Sequence, residues 1–143
     1  MADVSAVGLS LIRRFEGVRL IAYPDVGGVW TIGYGHTGPD VTRGMEITQE
    51  EADALLVKDV SKFAHGVEKL LSRSATQGQF DALISLAYNI GLGAFKDSTV
   101  LKRFNAGQIP GAAEAFILWV RAKGVIYEGL VKRRAAEIVR FMT

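Results

Sequence analysis

The sequence contains no cysteine and only two histidines among its 143 residues. The absence of cysteine excludes a disulfide-stapled scaffold, a thiol nucleophile and cysteine-ligated zinc. Two histidines leave few imidazole ligands for any other metal centre. We therefore expect neither a metal site nor a cofactor.

Long uncharged runs are also missing. The two longest stretches without Asp, Glu, Lys or Arg are Val26–Pro39 and Ala82–Phe95, with 14 residues each, whereas a membrane-spanning helix needs about 20 apolar residues. Near the N-terminus, Asp3 comes before an apolar segment and the arginines follow it, which is the reverse of a secretory signal. The expectation is a soluble chain made in the cytoplasm, without an export signal and without stable membrane insertion.

The composition is that of an ordinary globular protein, with 49% hydrophobic and 22% charged residues. This balance excludes a disordered chain. The length fits one compact domain with a core of its own. We expect residues 1–143 to form a single domain, and a monomer is the default for a domain of this size.

Charge is distributed unevenly along the chain. Residues 1–95 carry 8 Lys and Arg against 11 Asp and Glu, a net charge of −3, whereas residues 96–143 carry 9 against 4, a net charge of +5. A basic face of this kind favours an anionic polymer as partner: nucleic acid, an anionic lipid surface or the bacterial cell wall. The alternative is a solvated basic helix without a binding role.

The pattern of apolar residues predicts an α+β fold. Residues 3–15 have a helical apolar stripe, and the Gly-rich segment 18–37 is typical of a β-hairpin or a small three-stranded sheet. A Thr48–Glu51 capping box opens a helix of about 24 residues that is long enough to join two lobes. We thus expect a small N-terminal sheet lobe, a long connecting helix and a mainly helical lobe. The remaining predicted helices cover residues 76–89, 98–106, 110–121 and 130–141.

Two carboxyl groups and one hydroxyl in residues 16–37 are candidates for glycoside hydrolysis. This chemistry usually needs one protonated and one ionised carboxyl group on either side of the sugar bond. Glu16 ends the first predicted helix, where the negative end of the helix dipole disfavours its ionised form, so it fits the proton donor. Asp25, in a polar glycine-rich turn, fits the ionised group, and Thr31 fits a hydroxyl that holds the attacking water. The alternative is that both acids are surface residues in a capping position and a turn.

The same segment, RFEGVRLIAYPDVGGVWTIGYGHT over residues 14–37, closely resembles the active-site segment of the phage-type lysozymes, glycoside hydrolase family 24. The shared core is Glu16, Asp25 and Thr31 followed by Gly-Tyr-Gly-His-Thr. Further matching segments at residues 78–95, 98–107, 112–120 and 129–134 extend the resemblance over essentially the whole chain.

The resemblance implies a lysozyme-like fold and a muramidase, which cleaves the β-1,4 bond between N-acetylmuramic acid and N-acetylglucosamine of peptidoglycan. Its catalytic residues are then Glu16, Asp25 and Thr31, acting with inversion. A phage endolysin consisting of the catalytic domain alone, without a wall-binding module, is the implied type. It is made in the host cytoplasm and reaches the wall through a separate membrane-permeabilising protein, a holin.

The resemblance also points to cleft residues. Tyr88 and Asn89 combine an aromatic face with an amide, which suits an acetamido sugar; the alternative is a core tyrosine and a helix cap. Thr37 and Ser98 are further substrate-binding candidates, each with an alternative role in a turn or cap.

Structural roles are predicted for one histidine, for one of two neighbouring arginines and for two tryptophans. We interpret His36 as a partner of a carboxylate on the long helix, with Asp59 the candidate. One of the two arginines 133 and 134 is expected beside Glu16, and we interpret Trp30 and Trp119 as core residues rather than sugar platforms.

Competing functions remain open at the level of sequence. A lytic transglycosylase cleaves the same bond without water but needs no ionised base, so Asp25 and Thr31 argue against it. A nucleic-acid binder acting through residues 121–140 lacks a base-reading motif, and we expect no nucleic-acid partner. A membrane-active amphipathic helix at the C-terminus would be an accessory activity.

Overall fold

The computed structural model describes residues 2–143. It is an α+β fold, as predicted. The helices are α1 Ala6–Glu16, α2 Gln49–Leu70, α3 Gln77–Ile90, α4 Leu92–Lys96, α5 Thr99–Asn105, α6 Ile109–Ala115 and α7 Glu128–Phe141, with one 3-10 turn at Phe116–Leu118. The strands are β1 Arg19–Pro24, β2 Trp30–Gly33, β3 His36–Thr37, β4 Arg121–Ala122 and β5 Val125–Ile126.

The N-terminal sheet has three antiparallel strands in the order β1-β2-β3. This decides between the hairpin and the three-stranded sheet in favour of the sheet. Thr31 lies opposite Tyr23 on one side and opposite Thr37 on the other. The register therefore places the central candidate hydroxyl between both neighbouring strands.

Helix α2 joins the sheet to the helical remainder, as expected from its length. Its N-terminus has the predicted capping box, in which the side chains of Thr48 and Glu51 each accept a backbone N–H bond from the other residue. Its buried face packs against β2 at one end and against α3 and α4 farther along. That face consists of Ala52, Leu56, Val60, Ala64 and Val67.

Helix α3 is the centre of the helical lobe. Nine of its 14 residues are buried, and it packs against α1, α2, α4 and α7. Gly78 lets α7 come close, because a Cβ at this position would lie 2.5 Å from the carbonyl oxygen of Arg140. The C-terminal end of α7 can therefore pack against the start of α3 because residue 78 has no side chain.

One predicted helix is wrong in its extent. The helix expected over residues 110–121 ends as an α-helix at Ala115, continues as a 3-10 turn and gives way to the β4–β5 hairpin. Lys123 and Gly124, with φ of 52° and 77°, form the turn of this hairpin. The sequence analysis missed the hairpin because each strand has only two residues, too few for a period-2 pattern.

The helices of residues 2–143 include none that is both long and apolar enough to cross a membrane.

Candidate active site

Glu16 is the last residue of α1, and the chain leaves the helix at Gly17 with φ of 67°. Its side chain is 18% exposed, and its Oε2 accepts a 2.6 Å hydrogen bond from Nη1 of Arg133 in α7. One of the two arginines was expected here, and the structure selects Arg133. Arg134 turns instead to Glu137 and to the carbonyl of Trp119.

Glu16 lines two cavities. The first, about 340 Å³, lies between the sheet lobe and helices α2 and α3. The second, about 350 Å³, lies between the end of α1, the end of α3 and the start of α7. Glu16 is therefore a lining residue of both cavities. The first is lined by Glu16, Gly35, Thr37, Asp59, Lys62, Phe63 and Tyr88, and the second by Phe15, Glu16, Asn89, Tyr127, Gly129, Leu130 and Arg133.

Asp25 lies in the exposed turn between β1 and β2. Its Oδ1 accepts backbone N–H bonds from Gly27 at 2.8 Å and Val29 at 2.9 Å. These bonds fix the direction of the carboxylate. Within residues 2–143, no hydrogen bond involves Oδ2, so this oxygen can accept one from a water molecule or a ligand.

Thr31 is 5% exposed on the central strand β2. Its hydroxyl donates to the carbonyl of Val29 at 2.9 Å, which orients the remaining lone pairs of the oxygen. Its cross-strand partner Thr37 is exposed and lines the first cavity. The register of β2 and β3 therefore connects the buried threonine with the cleft wall.

Tyr88 forms another part of the same wall. Its hydroxyl donates to the carbonyl of Tyr34 at 3.1 Å, and its ring meets the edge of Phe63 with 5.0 Å between ring centroids. Burial raises the pKa of Tyr88, and the nearby carboxylates of Glu16 and Asp59 raise it further. The phenol thus stays protonated and joins the sheet to α3.

The other two candidates separate. Asn89 is exposed and lines the second cavity. Ser98 is buried at the N-cap of α5, where it donates to the carbonyl of Phe95 and accepts from the N–H of Leu101. Both functions of its hydroxyl are used within the helix start, and Ser98 does not line either cavity.

His36 lies beneath the cleft between two carboxylates. Nδ1 is 2.7 Å from Asp59, as predicted, and Nε2 is 2.9 Å from Asp40, which the sequence analysis missed. Burial lowers the pKa of His36, but the hydrogen bonds and charges of Asp40 and Asp59 outweigh burial, and the net pKa is raised. Each carboxylate accepts a hydrogen bond from one ring nitrogen, so both nitrogens of His36 carry a proton and the ring is an imidazolium.

Comparison with known proteins decides the family. The family described as phage lysozyme matches residues 13–137, most of the chain. The chain belongs to the phage lysozyme family. Its lysozyme-like fold agrees with a solved structure, the muramidase domain of SpmX from Asticaccaulis excentricus, at a TM-score of 0.94 and 40% identity over 100% of this chain and 99% of that one.

Relatives of this chain include endolysins. It is 49% identical to the endolysin of Bacillus phage B103, a match that covers 99% of this chain and 54% of that protein. It is 40% identical to the endolysin of Salmonella phage P22 over the full length of both. The chain spans about half the length of the Bacillus phage relatives that it matches.

The described residues also show where the two tryptophans lie and whether acidic or histidine side chains cluster. Trp30 and Trp119 are partly buried and pack against the core, in agreement with their interpretation as core residues. Within residues 2–143, no group of three or more His, Asp or Glu side chains is placed to hold a metal ion.

Proposed function

We propose that this phage lysozyme is a muramidase that hydrolyses the β-1,4 bond between N-acetylmuramic acid and N-acetylglucosamine in peptidoglycan. The observation that carries the proposal is the position of Glu16, a candidate proton donor that lines both cavities. A glycan strand that lies in both cavities brings one glycosidic bond to this carboxyl. Relatives described as endolysins and as a muramidase domain support the same activity.

In the proposed reaction, Glu16 donates its proton to the glycosidic oxygen as the bond to the anomeric carbon breaks. A water molecule attacks that carbon from the opposite face of the sugar, and its proton passes to Asp25. Thr31 accepts a hydrogen bond that helps to hold the water. Attack from the opposite face inverts the configuration of the anomeric carbon.

The residues that line the cavities support sugar contacts in the proposed cleft. Thr37 and the ring of Tyr88 face a sugar in the first cavity, and Asn89 and Tyr127 face one in the second. An aromatic face beside an amide suits the apolar face and the acetamido group of an N-acetyl sugar. Ser98 has no place in this proposal, because its hydroxyl caps α5.

The proposed setting is host-cell lysis by a bacteriophage. Residues 1–143 act as one catalytic domain and as a monomer, with peptidoglycan as partner and without nucleic acid. The chain is made in the host cytoplasm, and a separate phage protein of the holin type opens its way to the cell wall.

The test is loss of turbidity of outer-membrane-stripped Gram-negative cells with wild type, Glu16→Gln and Asp25→Asn. A general acid contributes about 10² to 10⁴ in rate, so we expect Glu16→Gln to be at least 10³-fold slower. Glu50→Gln, an exposed carboxylate in the first turn of α2, is the matched control and should lyse like wild type. Lysis by both site variants at the wild-type rate would overturn the proposal.

The second candidate, a lytic transglycosylase, is separated by its product. Hydrolysis leaves a reducing end on N-acetylmuramic acid, whereas a transglycosylase leaves a 1,6-anhydro ring. The ordered Asp25 carboxylate favours hydrolysis, because activation of water needs a base. Mass spectrometry of released muropeptides should show the added water; an anhydro end would favour the alternative.

A further inference from the structure

Arg133 lies between two carboxylates. Its Nη1 is 2.6 Å from Oε2 of Glu16, and its Nε is 3.3 Å from Oε2 of Glu137. Its Nη2 donates to the carbonyl of Ser85 in α3 at 3.2 Å. The guanidinium that meets the proposed proton donor is thus fixed on all sides, and its side chain is only 4% exposed.

Glu137 is a buried carboxylate that the proposed mechanism does not use. It is fully buried, and it contacts Arg134 at 2.6 Å as well as Arg133. The hydroxyl of Ser85 donates to its Oε2 at 2.5 Å. Burial raises the pKa of Glu137, while the two arginines and this hydroxyl favour its charged form. Desolvation of a buried charge is costly, and the arginines and the hydroxyl around Glu137 offset this cost.

The four charges form a balanced group, which we call the arginine–carboxylate cluster: Glu16, Arg133, Arg134 and Glu137. When all four groups are ionised, two guanidinium groups and two carboxylates add to a net charge of zero. Without Glu137, the same place would carry an excess positive charge beside Glu16. Such a charge stabilises a carboxylate and opposes proton donation.

We propose that Glu137 and Arg134 are positioning residues that set the charge at Glu16 through Arg133. The inference rests on the proposed function, in which Glu16 gives up a proton. Glu137 offsets the positive charge of the two arginines, so that Arg133 orients Glu16 without locking it in the ionised form. Arg134 in turn keeps Glu137 from drawing Arg133 away from Glu16.

Other titratable groups also face Glu16. Tyr88 of α3 stays protonated, and Asp59 and Lys62 of α2 line the first cavity. His36 lies behind Asp59. These groups are the same in all variants below. A difference between variants in the pH dependence of kcat/KM is therefore caused by the arginine–carboxylate cluster.

The experiment compares the pH profiles of kcat/KM on purified peptidoglycan for Glu137→Gln, Arg134→Gln and the double variant. The alkaline limb of such a profile reports loss of the proton from the acid. Glu137→Gln leaves a net positive cluster and should move this limb by about one unit to lower pH. Arg134→Gln leaves a net negative cluster and should move it to higher pH, and the double variant should return it to the wild-type position.

Asp81→Asn is the matched control. Asp81 is also a buried carboxylate bound by an arginine, Arg140, but it lies outside both cavities. It should lower stability without moving the limb. The rate at each pH is divided by the folded fraction that circular dichroism gives at that pH, so the limb of a partly folded variant can still be read, and Arg134→Gln provides a second test if Glu137→Gln folds poorly.

The outcomes separate the two proposals. Limbs that stay at the wild-type pH in both single variants, or that move in the same direction, would overturn the role of Glu137 and Arg134 while leaving the muramidase intact. A wild type without hydrolytic activity, or an active Glu16→Gln, would instead overturn the proposed function. Shifts of the alkaline limb in opposite directions in the two single variants support the inference. The direction then follows the sign of the charge that was removed, which a structural defect alone would not produce.

Discussion

Glu16 and Arg133 are 117 positions apart in the sequence, and their side chains meet at 2.6 Å. The ion pair joins the end of the first helix to the last helix, and it is mostly shielded from water, with side-chain exposures of 18% and 4%. The candidate acid therefore acquires its partner only when the first and last helices pack together. The pairing of the candidate acid therefore depends on how the helical lobe packs.

The first prediction concerns removal of this partner. Arg133→Gln leaves two carboxylates, Glu16 and Glu137, without one of their cations in a buried place. Loss of one partner from a buried ion pair costs about 3–5 kcal/mol. We expect a decrease of that order in the free energy of unfolding, measured by urea titration. Lys132→Gln is the control, because Lys132 is 66% exposed and pairs only with exposed Glu128; it should cost less than about 1 kcal/mol. Equal effects of the two variants would contradict the prediction.

The second prediction concerns Asp81, a fully buried carboxylate that ties three parts of the chain together. It accepts from the N–H and hydroxyl of Ser5, from Gln77 and from two nitrogens of Arg140. Asp81→Asn replaces an acceptor with a donor, so we expect a loss of about 3 kcal/mol in unfolding free energy. The activity per folded molecule should not change, because Asp81 lies outside both cavities. A lower kcat in fully folded variant would show that the Asp81 junction also shapes the site.

The third prediction is a pH dependence of stability. The pKa of His36 is raised above its ordinary value of 6.5 by Asp40 and Asp59, against the effect of burial. Its contribution is therefore fully present below about pH 6.5 and is lost as the pH rises through the raised pKa of the folded state. In the acid range the pKa of Asp40 is lowered, chiefly by the hydrogen bond with His36, so its contribution is lost only as the pH falls below about 3.8.

The measurement for His36 is urea unfolding of wild type and His36→Gln at pH 6 and pH 9. We expect the wild type to exceed the variant by more at pH 6 than at pH 9. Equal differences in unfolding free energy between wild type and His36→Gln at both pH values would contradict the prediction. They would show that the charge of the imidazolium does not stabilise the fold through Asp40 and Asp59.

The fourth prediction concerns Tyr127, which lines the second cavity together with Asn89. If a sugar lies against its ring, Tyr127→Ala removes an aromatic contact of about 0.5–1.5 kcal/mol. We expect KM for peptidoglycan to rise about three- to tenfold, with a small change in kcat. Tyr127→Phe should keep most of the affinity, because the ring remains.

Leu118→Ala is the control for Tyr127. Leu118 is 62% exposed near the same hairpin but does not line either cavity. It should leave KM unchanged. A similar rise in KM for Leu118→Ala and Tyr127→Ala would point to a general disturbance of the hairpin rather than to a sugar contact.

Much of the fold follows from local signals in the sequence. Thr48 and Glu51 form the predicted capping box, and the long helix follows from it. The composition of residues 18–37 predicts a hairpin or a small sheet, and the structure decides for three strands. The β4–β5 hairpin was missed, because its strands are short and its register depends on Lys123 and Gly124 in a left-handed turn.

The candidate site also combines residues that the local sequence predicts with residues that only the tertiary structure places. Asp25 and Thr31 are predicted from one contiguous segment, and the structure adds their hydrogen bonds. Tyr127 was not predicted as a cleft residue, since its place depends on the hairpin. Ser98 was a cleft candidate, but its hydroxyl serves the start of α5.

The sequence by itself determined the elements whose cause is local: caps, apolar stripes, the glycine-rich turn and the order of Glu16, Asp25 and Thr31. Only the tertiary structure decided which arginine meets Glu16, that Asp40 joins Asp59 at His36, and that Glu137 shares Arg133. The physical reason is that hydrogen bonds between distant helices depend on their packing angle and rotation. Neighbouring arginines 133 and 134 have the same chemistry, and only the way α7 packs separates their roles.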